Sequence, residues 1–130
     1  MWRKILSGYR LRVYIGYDSR EDIAYQVAKH SIEQTCKYPD QLEIYPLKLK
    51  DLEKEGHYTR EVDALASTEF TFSRFLIPHL CNYDGWALFI DCDFLFKTDI
   101  RQLFQLKDDK YAIMCAQHDY TPKEGTKMDG

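Results

Sequence analysis

The sequence predicts an α/β fold, a mainly parallel sheet flanked by helices, and three observations carry that prediction. Short apolar runs of strand length recur along the chain, a segment with helical period separates the first two, and turn residues mark the joints. Leu11 to Tyr17 begins with apolar and polar residues alternating, is rich in β-branched and aromatic residues, and ends at Gly16, so it reads as a strand. Asp18 or Ser19 then serves as an N-cap, with an acid three residues on. The helix that follows carries two adjacent rows, Ile23/Val27/Ser31 and Ala24/Ala28/Ile32, as its apolar face, and stops near Cys36. Leu42 to Tyr45 is a second strand, closed by Pro46. Strand, helix and strand in this order make a βαβ unit with a right-handed crossover.

Lys48 to Gly56 is charged and reads as a short surface helix, and His57 to Ser67 as a loop. From Thr68 the spacing is helical, with Phe72, Phe75, Leu76 and Leu80 on one face and Arg74 roughly opposite; Pro78 should kink or end this helix. Asn82 to Gly85 is a turn. Trp86 to Ile90 is a continuous apolar run, as expected of a strand buried on both faces. Asp99 to Leu106 predicts a short helix with Ile100, Leu103 and Phe104 inward, and Tyr111 to Ala116 a fourth strand. The expected organisation is an N-terminal extension over 1–9, one α/β domain over 10–119, and a polar tail or truncated loop over 120–130.

Composition narrows the function classes. A chain of 130 residues with 45% apolar content can bury a single core. Its net charge of −3 and the lack of a basic cluster argue against nucleic acid as a partner. Cys36, Cys81, Cys92 and Cys115 are widely spaced and form no C-x-x-C pair, so they read as reduced, mostly buried thiols. No apolar run approaches the ~20 residues that span a bilayer, and the first residues lack the apolar core of a secretory signal. A cytoplasmic protein without a transmembrane segment is expected.

The chemistry lies at the end of the third strand. Ligands of open parallel sheets bind outside the carboxyl ends of the strands, and Ala87-Leu88-Phe89-Ile90-Asp91-Cys92-Asp93 delivers two carboxylates to that place. Such neighbours repel unless a cation joins them, and hard oxygen ligands suit Mn2+ or Mg2+ bridging to a substrate diphosphate. The bland alternative is that one Asp caps a turn and the other is solvated.

Tyr14 to Asp18, Phe72-Ser73-Arg74-Phe75, Leu88 to Asp93 and Asp99 to Phe104 together resemble glycosyltransferase family 8, retaining enzymes of the GT-A fold. The resemblance runs from about Arg12 to about Asp119. It implies a Rossmann-like nucleotide-diphospho-sugar transferase half-fold and a nucleotide-sugar donor, a UDP-sugar by expectation. Tyr17 and Asp18 would contact the nucleobase or ribose, although Asp18 serves equally as an N-cap. Arg74 would lie near the diphosphate or donor sugar. Asp91 and Asp93 would hold Mn2+, with Asp91 also touching the donor. The acceptor, whether glycan, lipid-linked sugar or protein, is left open, and so are the residues that perform the transfer.

Members of that family are longer and supply a further His ligand from their second half, so the chain reads as the N-terminal portion of a longer parent, incomplete as a catalyst. His118 and Asp119, just past the expected fourth strand, could support the acceptor side. His30, His57 and His79 show no ligand spacing. Two other readings stand beside the enzyme: a non-catalytic module that binds a nucleotide or a partner, and a haloacid-dehalogenase-type phosphatase. The latter is disfavoured by Phe94 and Leu95, where Gly and Thr or Val are usual.

Overall fold

The computed structural model describes residues 10–121, and the expected extension over 1–9 and most of the expected tail lie outside that range. Among the described residues three strands form the sheet: β1 (Leu11–Gly16), β2 (Leu42–Leu47) and β3 (Ala87–Ile90). All pairings are parallel and the spatial order is β2-β1-β3. The chain therefore steps to one side of β1 for β2 and to the other for β3. That reversal makes a topological switch point between the carboxyl ends of β1 and β3. The α/β prediction, with a parallel sheet flanked by helices, matches this architecture.

The core is built around β1, whose Leu11, Val13, Tyr14 and Ile15 are buried, because it has a strand on each side. A 3-10 turn (Ser19–Glu21) leads into α1 (Asp22–Thr35), which buries Tyr25, Ala28, Ser31 and Ile32. Of the two expected apolar rows, Ala24/Ala28/Ile32 turns inward, while in the other only Ser31 is buried. Ile23 is 74% exposed and Val27 is also open to solvent, because the contact stripe runs through Ala28 and Ile32 and turns these two toward the chain after β3. β2 continues through Pro46, past the expected stop. As the edge strand beside β1, it tolerates a residue with no N–H to donate. A short 3-10 turn (Pro39–Gln41) precedes β2, and α2 (Leu49–Lys54) follows it, ended by Gly56 at φ +78°.

The helix expected from Thr68 is shorter and later than its spacing suggested. A 3-10 turn (Ser73–Leu76) passes into α3 (Ile77–Leu80), and Phe75 is 76% exposed instead of sharing an inward face. Pro78 starts the α-helical turn and does not end it, since its missing N–H falls among the first-turn donors that lack intrahelical partners anyway. β3 is less buried than its composition implied: only Ile90 is fully covered, because β3 pairs with β1 alone among the described residues. α4 (Arg101–Phe104) buries Phe104, with Ile100 just before it, and leaves Leu103 largely exposed. The fourth strand expected over Tyr111 to Ala116 does not form; these residues are exposed and irregular. A strand-like sequence becomes a strand only when a neighbour takes up its backbone hydrogen bonds, and none does so among the described residues.

Candidate functional site

Register brings the site together. Ile15 pairs with Ile90, so Gly16, the last residue of β1, and Asp91, the first after β3, come side by side at the switch point. Gly16 is required there by close approach: a Cβ would lie 2.7–2.8 Å from three ring carbons of Phe70. The Phe70 ring is buried and packs at 6.1 Å from that of Phe89, so the segment before α3 roofs the end of β1.

That segment is latched to the β1–α1 turn by polar contacts. Asp18 is 1% exposed. Its Oδ1 accepts from Arg20 N (3.0 Å) and Arg20 Nε (2.9 Å), and its Oδ2 from Arg20 Nη2 (2.7 Å) and Glu69 N (3.3 Å). The Arg20 guanidinium pulls the Asp18 carboxyl down to about 2; the two backbone donors add to this, while burial opposes it. Glu69 in turn accepts from Ser19 N (3.0 Å) and from the Ser19 hydroxyl, and Arg20 Nη2 donates to Ser67 O (3.1 Å). Four donors fill the acceptor positions of Asp18, so direct contact with a ligand needs Arg20 to let go. As the structure stands, Asp18 is the N-cap and anchor of this turn.

Tyr17 donates to Asp22 Oδ1 (2.7 Å), packs edge-on against Tyr25, and lies under the Lys48 ammonium at 4.7 Å. Arg74 reaches the site from the 3-10 turn. Its guanidinium lies over Phe70 (5.3 Å) and Phe89 (5.2 Å), its Nε donates to Phe70 O (3.3 Å), and its Nη1 is 3.7 Å from Asp91 Oδ1. The side chains of Arg74 and Asp91 are 32% and 46% exposed, so this ion pair is worth at most about 1 kcal/mol. It matters as placement: a cation and an anion meet at the mouth of the crevice.

The D-x-D divides. Cys92, between the two acids, is buried and donates its S–H to Glu21 Oε2 (3.4 Å); burial, then this contact, push its pKa up to about 11. Asp93 is exposed and lines an open groove of about 300 Å³ with Ile23, Ala24, Val27, Cys92, Phe94 and Leu95. No hydrogen bond or ion pair engages Asp93 among the described residues, and no set of three His, Cys, Asp or Glu there could hold a metal.

The structure thus joins Arg74 to Asp91 beside the Tyr17–Asp18 turn, and leaves Asp93 around the corner on the α1 side. His118 packs edge-on against Tyr120 in exposed chain, with no bond from it or Asp119 to this site among the described residues. Sequence reasoning missed Glu69 and Phe70, whose roles rest on contacts about fifty residues away along the chain, with no local pattern to reveal them. It also missed Ser73, beside Arg74, whose buried hydroxyl has no hydrogen-bond partner among the described residues.

Comparison with known proteins gives this geometry a context. A family model described as Glycosyl transferase family 8 matches residues 7–128. The chain belongs to that family. A curated relative, Protein CDI of Arabidopsis thaliana, is 61% identical over 119 residues, which cover 92% of this chain and 45% of the relative. The chain spans less than half the length of that relative. No solved structure matches this chain. The family membership agrees with the resemblance carried by the strand ends, and the observed sheet with its flanking helices is consistent with a GT-A half-fold. No described helix is long and apolar enough to cross a membrane.

Proposed function

We propose that this chain forms the nucleotide-sugar-binding half of a glycosyltransferase, with a donor diphosphate seated at the β1–β3 switch point. The observation that carries the reading is the meeting of Arg74 and Asp91 there, 3.7 Å apart, on a parallel sheet whose order reverses at that place. A UDP-sugar fits the family, with the nucleoside on the Tyr17–Asp18 side. Tyr17 offers it a ring, and Asp18 acts by fixing the turn through Arg20 and Glu69. Arg74 pairs with the diphosphate, exchanging part of its contact with Asp91 for phosphate oxygens.

The donor set suits Mn2+ or Mg2+: Asp91 and Asp93 are oxygen ligands accessible to solvent, and Asp93 has no competing partner among the described residues. When bound, such an ion supplies charge to offset that developing on the leaving nucleoside diphosphate. Before it binds, Arg74 partly neutralises Asp91. Asp93 lies on the α1 side of the corner, so one ion held by both carboxylates would require the turn at Cys92 and Asp93 to move. The acceptor stays unassigned, and transfer is proposed for the longer protein of this family.

Titration calorimetry of UDP with and without Mn2+ tests the proposal. Asp93→Ala should abolish the Mn2+-dependent part of the binding. Arg74→Ala should weaken UDP by about 1–3 kcal/mol, the scale of hydrogen bonds to charged groups. Equal UDP affinity in wild type and Asp93→Ala would refute the metal role. Mn2+-dependent binding with no transfer or hydrolysis of UDP-sugars by a longer parent would favour the second reading, a non-catalytic nucleotide-binding module.

A further inference from the structure

His57 and His79, 22 residues apart in the chain, meet outside the site described above: His79 Nε2 lies 3.3 Å from His57 Nδ1. The rings stand 5.2 Å apart at 68°. Two neutral imidazoles at this separation share one proton, or they offer two lone pairs to one metal ion. Zn–N bonds are about 2.0–2.1 Å, and two such bonds spanning 3.3 Å enclose an N–Zn–N angle of about 104–111°, the tetrahedral value. The ion would sit off the line between the nitrogens, which a small turn of these exposed rings about their broad χ2 wells provides.

Two further features favour a ligand pair over a chance contact. Coordination through Nδ1 of His57 requires the proton on its Nε2, and Glu55 Oε2 lies 3.7 Å from that nitrogen, near enough to accept after a small side-chain adjustment. A carboxylate behind the remote N–H is the usual support of a zinc-bound histidine, because it fixes the tautomer and raises ligand basicity. Both backbones are also held. His57 N and Tyr58 N donate to Leu52 O, and His79 lies within α3, where Asn82 N donates to His79 O (3.0 Å) and the Tyr83 ring packs edge-on at 6.2 Å.

We propose that His57 and His79 form a two-histidine site for Zn2+, with Glu55 as supporting carboxylate and water completing the coordination. No third His, Cys, Asp or Glu joins them among the described residues, so the affinity is that of a bidentate chelate and loading follows zinc availability. Its consequence is mechanical. The segment between the two histidines carries Ser67, Glu69, Phe70 and Arg74, which roof the switch point. Zinc at its base closes that 22-residue loop and lowers the entropy it can recover by opening. This site is independent of Asp91 and Asp93.

Zinc chloride alone is the probe, read by thermal unfolding of the full chain at neutral pH. Sub-millimolar zinc should raise Tm in wild type and in Asp93→Ala, and the rise should vanish in His57→Gln and in His79→Gln. The UDP response with Mn2+ should be unchanged in both histidine variants. In parallel, NMR of wild-type protein carrying isotope-labelled histidine should show zinc moving the His57 and His79 ring nitrogens and sparing His30 and His118. That measurement decides the matter even if a variant does not fold. No Tm rise in wild type, a rise retained in either histidine variant, or ring shifts that miss this pair would each overturn the proposal.

Discussion

Asp18→Asn keeps the outline of the side chain and deletes its charge, which isolates what the anchor of the β1–α1 turn contributes. The carboxylate accepts four hydrogen bonds, two on each oxygen. The amide can accept on one oxygen only, so in either orientation its NH2 confronts two donors. The size follows from the depressed pKa: about 2 in the folded protein against 3.8 for the free side chain. At about 1.4 kcal/mol per unit, that difference represents about 2 kcal/mol. Arg20 is 69% exposed, and solvent screening keeps the contribution from exceeding this.

The sign is that of a group ionised more readily when folded. Its stabilisation is present above the unfolded value of 3.8 and is lost as pH falls through about 2. Urea unfolding followed by circular dichroism should therefore show Asp18→Asn less stable by about 2 kcal/mol at neutral pH, with a fall in Tm on the order of 10 °C. The gap to wild type should narrow as the pH is lowered across that window. Asp99 remains in the variant, its carboxyl pulled well below the usual range by Arg101, so some acid sensitivity persists. Stabilities within about 0.5 kcal/mol at neutral pH, the scatter of ordinary surface changes, would refute the assignment of Asp18 as anchor.

Gly16→Ala should destabilise by about 1–3 kcal/mol, the usual penalty for overpacking, because the new methyl meets the buried Phe70 ring at 2.7–2.8 Å; denaturant melts matching wild type would show that Phe70 can yield. Thiol titration of the native protein should find one fast group, the exposed Cys115. Cys36, Cys81 and Cys92 should react only on unfolding, Cys92 with the added handicap of a pKa pushed up to about 11; a second fast thiol would contradict their burial.

The features legible in the sequence are those that depend on near neighbours in the chain. Period and turn residues suffice for β1, α1, β2 and the Asn82–Gly85 turn. The apolar run into Asp91-Cys92-Asp93 marks a strand that delivers acids to the ligand end of a parallel sheet. The same local logic fails where the outcome depends on what lies beside an element. Tyr111 to Ala116 has strand chemistry and, among the described residues, no strand to pair with, and Ile23 and Val27 have helical spacing on a face that stays largely open to solvent.

What the sequence determined by itself is the α/β class, the order of its first elements and the place where carboxylates emerge, since each follows from residue spacings of a few positions. Only the tertiary structure decided which charges meet. It joined Arg74 to Asp91, gave Asp18 to Arg20 and Glu69, set Asp93 apart, and brought together two histidines with no ligand spacing along the chain. Hydrogen bonds and ion pairs act over a few ångströms, and the fold alone determines which distant parts of the chain come that close.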